Sequence, residues 1–440
     1  MNLRGLSFEA MPPLIVPYRF FISAPLSIIA IGLLWLFSSP EELSSRWSNF
    51  MLATTHGITL GFMLMVMFGA LFQVLPVVTG IAMPQANKLA RLVHLFLLIG
   101  VVCLLIGFAQ RQTSLLATGA ISTLLALIIF AVGLLICFPQ MRNSPTSWAI
   151  RLATIGLLIT VGLGVAFIIG WLEPSWFPSY RAWTNIHLMW GMLGWTLLLV
   201  MGVSFQIIPM FYVTPDYPRW VSHFLPATLF IQLLAYTVSQ KFFLLPVNSM
   251  LATFQLMLIA ITVLSYAVFS LYLIRQRKRK ALDVTLWFWK FAMISLLIAA
   301  VLFVFKLFYQ GLYWTQLELI LAAVALVGFA MALITGMILK IVPFLVWLNI
   351  QQKWIKHPAT KMPLSNMQQV IPIRVAKRQF FLFITILPIL VVIFAGLNHY
   401  WLIKIAGLQL IITYSYLFYT LVNAKTLYQQ VSDELDEQLE

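Results

Sequence analysis

GFMLMVMFGALFQVLP at residues 61–76, GWTLLLVMGVSFQIIP at 194–209 and GFAMALITGMILKIVP at 328–343 carry one pattern three times. In each stretch two glycines stand eight apart: Gly61 and Gly69, Gly194 and Gly202, Gly328 and Gly336. A polar residue follows four later (Gln73, Gln206, Lys340), and a proline three after that (Pro76, Pro209, Pro343). The prolines recur after 133 and 134 residues, and a fixed period of this kind announces architecture. Glycines eight apart let helix backbones approach closely, as small residues do in membrane bundles.

Each stretch sits inside an apolar run longer than the roughly 20 residues a helix needs to cross the hydrocarbon core. Walking outward gives twelve such runs, at 15–37, 51–77, 88–108, 114–138, 148–172, 184–212, 220–240, 247–274, 284–309, 315–348, 378–398 and 401–423. Composition agrees: 62% of the 440 residues are apolar and 9% charged, against about 45–50% and about 25% in soluble domains. That excludes a soluble globular, disordered, coiled-coil or collagen-like chain. Cys103 and Cys137 each lie inside an apolar run, so neither a disulfide framework nor a cysteine zinc site is in prospect. The first run is too long, and lacks the small-residue cleavage site, for a removable signal. The expected fold is an all-α integral membrane bundle in a single membrane domain, 1–440. Its twelve helices form three pseudo-repeats of four, at about 1–145, 146–281 and 282–430. An acidic tail at 431–440, with Asp433, Glu434, Asp436, Glu437 and Glu440, reads as a solvated cytoplasmic end.

The net charge of +15 is a matter of topology. Short cytoplasmic loops collect lysine and arginine. Arg275, Arg277, Lys278, Arg279, Lys280 and Lys290 follow span 8, and Lys353, Lys356, Lys361, Arg374, Lys377 and Arg378 follow span 10. The opposite loops and helix ends hold only Arg46, Arg111, Arg181, Lys241, Lys306 and Lys404. Both termini are therefore expected in the cytoplasm. The partner is the lipid bilayer rather than nucleic acid; further copies of the chain or other membrane subunits stay open.

The chain resembles subunit I of the haem–copper oxidases, which also has twelve spans in three pseudo-equivalent arcs of four. Thr55-His56-Gly57 through Gly61-Phe62-Met63 to Gly80 looks like that family's span 2, where a histidine ligates low-spin haem. Ile186-His187-Leu188 to Pro215 is similar to a span 6 that contributes a copper-ligating histidine. An NnrS-like branch of haem–copper membrane proteins is nearer in pattern, with histidines opening glycine-rich spans 2 and 6. The departures are specific. Span 10 has no histidine across residues 319–326, where the family needs two, and span 7 offers only His223 rather than a pair. The tyrosine expected after the span 6 histidine is also missing. Terminal oxidase activity is therefore not expected.

Ionisable groups within a membrane are costly and mark candidate sites. His56 and His187 fall near the outer ends of their spans, 20 and 22 residues before the shared prolines, about 200° apart on a helix. His399 lies in the last outer loop; His94, His223 and His357 belong to the cytoplasmic half. Met63 and Met67, seven and eleven residues beyond His56, would share its face on an α-helix, and thioethers with imidazole suit Cu(I). Glu318 opens span 10 across a turn from Lys306, an expected interfacial ion pair. Lys340 is expected to snorkel. The leading expectation is a non-oxidase relative in a bacterial cytoplasmic membrane. It would bind haem or copper near the outer face through His56 and His187, with Met63, Met67 and His399 as further metal candidates. The alternatives are a permease with Gln73, Gln206, Lys340, Glu318 and Lys306 along its path, or a cofactor-free scaffold.

Overall fold

Small polar side chains start the helices where the apolar runs begin. Ser48, Ser144 and Ser249 each accept the backbone N–H three residues on, and Asp283 accepts that of Thr285, satisfying donors a helix start leaves open. The computed structural model describes residues 11–177, 179–241, 249–278, 281–309, 311–356, 366–397 and 399–437; Arg279, Lys280, His357, Lys361 and Glu440 lie outside them. Among the described residues there is no strand. Twelve helices of the described residues are long and apolar enough to cross a membrane. They are α1 (Ile15–Leu36), α2 (Asn49–Thr79), α3 (Ala86–Gln110), α4 (Thr113–Gln140), α5 (Pro145–Leu172) and α6 (Tyr180–Tyr212). The second six are α7 (Arg219–Lys241), α8 (Met250–Arg275), α9 (Val284–Phe308), α10 (Trp314–Ile355), α11 (Ile373–Phe394) and α12 (Tyr400–Glu437). The protein is a multi-pass membrane protein.

Residues 37–48, 111–112, 173–177 and 179–183 share one end of the bundle, here the upper end; 80–85, 213–218, 276–278 and 281–283 share the lower. The acidic tail differs from the expected solvated end. α12 continues to Glu437, with Val431, Ser432 and Leu435 buried. Lys353 donates to Ser432 Oγ at 2.5 Å and to Asp436 Oδ2 at 2.8 Å. The tail stays helical because its apolar residues find cover and one of its carboxylates finds a cation.

The glycines of the three matching stretches meet the same kind of partner. A Cβ on Gly69 would come within 2.7 Å of Phe20 Cβ, one on Gly202 within 2.6 Å of Ala149 Cβ, and one on Gly336 would overlap Phe288 Cβ. Nearer the upper end, a Cβ on Gly61 would reach Ser27 Cβ at 2.6 Å, and one on Gly328 would reach Ser295 Oγ at 2.8 Å. In the middle stretch a Cβ on Gly156 would overlap Gly194 O. The contacted residues are thus 20 and 27 on α1, 149 and 156 on α5, and 288 and 295 on α9, seven apart each time. Backbone can approach backbone here only because no side chain intervenes.

α2, α6 and α10 share a second feature. Each is interrupted by eight residues of π-helix: Gly57–Leu64, Trp190–Leu197 and Val324–Met331. The three starts are 133 and 134 residues apart, the same offsets as the prolines. A π-turn closes i→i+5 rather than i→i+4, and such segments concentrate at functional positions. Within the second segment Thr196 Oγ1 donates to Gly191 O, five residues back, at 3.0 Å.

Lower down, the three helices pack tightly. Gln73, Val77, Gln206, Phe211, Ile341 and Phe344 line a cavity of about 30 Å³, room for a water molecule and little more. Beside it Lys340, 9% exposed, pairs with Asp283 Oδ2 at 2.6 Å and lies 5.3 Å and 5.6 Å from the ring centres of Phe211 and Tyr212. Asp283 Oδ1 also accepts Thr285 Oγ1–H at 2.6 Å, and Tyr212 OH shares a 2.8 Å hydrogen bond with that hydroxyl. The expectation that Lys340 snorkels is therefore corrected: a carboxylate at the head of α9 meets it inside the protein. The 276–278 segment docks here too, Lys278 N–H donating to Val213 O at 2.9 Å. Val213 itself is held at φ 54°, an uncommon conformation for a β-branched residue.

Candidate functional site

His56 closes the last α-turn before the first π segment, and His187 stands three residues before the second. The π geometry follows both histidines, so the helix below each is wound differently from the helix that carries it. His56 Nδ1 lies 2.8 Å from Leu52 O, and His187 Nδ1 lies 2.9 Å from Thr160 O on α5. A carbonyl oxygen only accepts, so Nδ1 carries the proton in each ring and Nε2 the lone pair. Among the described residues neither Nε2 has a hydrogen-bond partner.

Aromatic rings hold both imidazoles. His56 stacks on Phe108 of α3 with centroids 4.9 Å apart, and Phe108 in turn lies 5.9 Å from Trp171 of α5. His187 meets Phe167 edge-on at 5.3 Å, and a Cβ on Gly164 would approach its Cε1 at 3.3 Å. Phe167 and Trp171 are one helical turn apart on α5, so one helix supplies an aromatic contact near each histidine.

Other candidate residues go elsewhere. Met63 and Met67 are buried in the main core, 2% and 6% exposed, and share no polar contact with His56. The single-face argument for these three assumed about 100° per residue throughout; the π segment between His56 and Met65 turns less per residue and breaks that register. His399 is exposed at the head of α12, its carbonyl accepting the N–H groups of Leu402 and Ile403. His94 shares a 2.6 Å hydrogen bond with Ser23 Oγ, and His223 Nδ1 lies 2.8 Å from Arg219 O. Gln73 and Gln206 come together at the small lower cavity, where Gln73 Nε2 donates to Met11 Sδ at 3.0 Å.

At the upper end Lys306 donates to Glu318 Oε1 at 2.6 Å, as its spacing from Glu318 suggested, and Arg46 Nε approaches Oε2 at 3.6 Å. Arg46 was missed as a partner because it lies 272 residues from Glu318, with no local signal to join them. Lys306 also sits 4.3 Å over the Trp314 ring.

The donor set fits a ligand that takes imidazole nitrogen. Two neutral rings offer Nε2 while a carbonyl fixes the opposite N–H, the arrangement that orients a metal-bound histidine. Among the described residues no cluster of three or more histidine, cysteine or acidic side chains could hold a metal. A metal held here would therefore rest on one or two imidazoles and not on a four-ligand zinc site. The chain matches no protein-family model and no curated protein sequence.

Proposed function

We propose that this is a haem–copper oxidase-like membrane protein without oxidase activity, binding haem or copper near the outer face through His56 and His187. The observation that carries it is the matched state of the two imidazoles, each with Nδ1–H on a carbonyl and Nε2 open. Held there, haem iron or copper would supply a one-electron centre. The chain's own part is to fix both rings in one tautomer and to pack them against Phe108, itself backed by Trp171, and Phe167. The threefold glycine crossings and the equally spaced π segments support three related four-helix units of the subunit I type. The basic residues at the lower end support a cytoplasmic position for that end and for both termini, by the charge rule.

A permease draws less support. Its polar candidates divide between the two ends, Glu318 with Lys306 above and Lys340 with Asp283 below, and the section near Gln73 and Gln206 is nearly closed. Metal analysis and a reduced-minus-oxidised spectrum of protein purified from metal-replete cells test the proposal. Haem or copper in the wild type, lost in His56→Ala and kept in His94→Ala, is the expected result. Protein free of both metals in every preparation would overturn it.

A further inference from the structure

A cavity of about 280 Å³ opens at the upper end, between the ends of α1, α2 and α3. That is close to the small end of ordinary ligand pockets. Ser48 and Asn49 come from the head of α2, Arg111 from just past α3, and Glu42, Trp47 and Phe37 from the chain around them. Three features make its donors unusual. Asn49 Nδ2 is shut away from solvent with no hydrogen-bond partner among the described residues, a costly state for an amide unless an acceptor completes it. Arg111 is exposed and takes part in none of the ion pairs of the described residues. The first N–H groups of α2 point the same way as its positive dipole end, and Ser48 Oγ satisfies only that of Met51.

Glu42 brings the opposite requirement. One of its oxygens already accepts Ser39 N–H at 2.9 Å, and its charge favours a ligand that also carries a donor. Phe37, 87% exposed, and Trp47, 41% exposed, give the mouth an apolar rim.

We propose that this cavity binds a phosphate-bearing head group that also carries an ammonium or hydroxyl donor. Arg111 takes the phosphate oxygens, Asn49 joins it by turning its sealed, unpartnered amide into the cavity it lines, Glu42 takes the donor, and Trp47 and Phe37 cover whatever apolar part is attached. Such a group can come from a phospholipid of the outer leaflet or from a soluble phosphorylated amino-alcohol. The site does not depend on what the histidines bind, although Asn49 is seven residues from His56, about 10 Å along the same helix face.

The test uses the full-length protein, purified in detergent and stripped of lipid, with two probes: phosphoethanolamine, and dihexanoylphosphatidylethanolamine below its micelle concentration. Calorimetry and tryptophan fluorescence should show saturable 1:1 binding of the lipid. Arg111→Gln should weaken it at least tenfold, Asn49→Leu by a similar factor, and Arg219→Gln, at the lower end, not at all. Binding of both probes makes the head group alone the ligand; binding of the lipid probe only makes the bilayer its source. Saturable binding of neither probe, or binding that Arg111→Gln leaves unchanged, would overturn the proposal.

Discussion

The same three helices behave differently at their two ends. Below the π segments, α2, α6 and α10 are almost wholly buried: residues 327–346 of α10 are buried without exception. Gln73, Thr335 and Lys340 have polar partners there and Gln206 faces a cavity of about 30 Å³, while Trp347 Nε1 has no partner among the described residues. Within the π segments or just above them, residues 59–60, 191–193 and 320–322 are only half-buried, as are Leu163 to Ile168 of α5. The lower half is built on glycine crossings and one internal ion pair. The upper half is built on rings, two of them imidazoles with an open nitrogen. Close packing resists change of any kind, whereas a half-open region can exchange contacts for a ligand. The difference separates the part that holds the bundle together from the part available for chemistry.

The contrast breaks most visibly at the glycines. Gly69→Leu, Gly202→Leu and Gly336→Leu should each remove most folded protein, because even a Cβ would sit 2.7 Å or less from its neighbour, and overpacking a full core costs about 1–3 kcal/mol or more. Gly162→Leu on upper α5 would meet nothing within 4 Å and should leave the yield of monodisperse protein unchanged by size-exclusion chromatography. Equal tolerance at all four positions would mean the lower half is no better packed than the upper.

Next in size is the lower ion pair. Lys340 and Asp283 have side chains 11% and 22% exposed, and removing one partner of a buried pair costs roughly 3–5 kcal/mol. Asp283→Asn or Lys340→Met should lower the melting temperature in detergent, and the double variant should recover much of the loss. Additive losses in the double variant would show that the two groups are not coupled.

The smallest expected effect concerns which end faces outward. Trp176→Cys should react with an impermeant thiol reagent in intact cells, and Arg277→Cys should react only after the membrane is opened, with no change in stability. The reverse labelling would put His56 and His187 on the cytoplasmic side.

Much of the fold was legible because length and hydropathy decide it. Every expected span overlaps an observed helix, and the largest disagreements lie where α10 and α12 continue past the apolar run. Those extensions depend on distant contacts such as Lys353 with Asp436, which no window of sequence contains. His56 and His187 were legible as ionisable residues in apolar runs; their tautomers were not, since these depend on Leu52 O and Thr160 O. The π segments left no mark in composition. They undid the helical-face argument for Met63 and Met67 because that argument needs regular winding. Lys340 shows the same limit. Its position in the repeat was clear, yet its partner lies 57 residues away at a helix start.

The most direct measurement is the nitrogen coordination of bound metal, read by X-ray absorption at the iron or copper edge of the purified protein. Imidazole scattering should be strong in the wild type, reduced by about one ligand in His187→Ala, and unchanged in His223→Ala and His399→Ala. A spectrum unaltered by both His56→Ala and His187→Ala would contradict the assignment of these two histidines as the site.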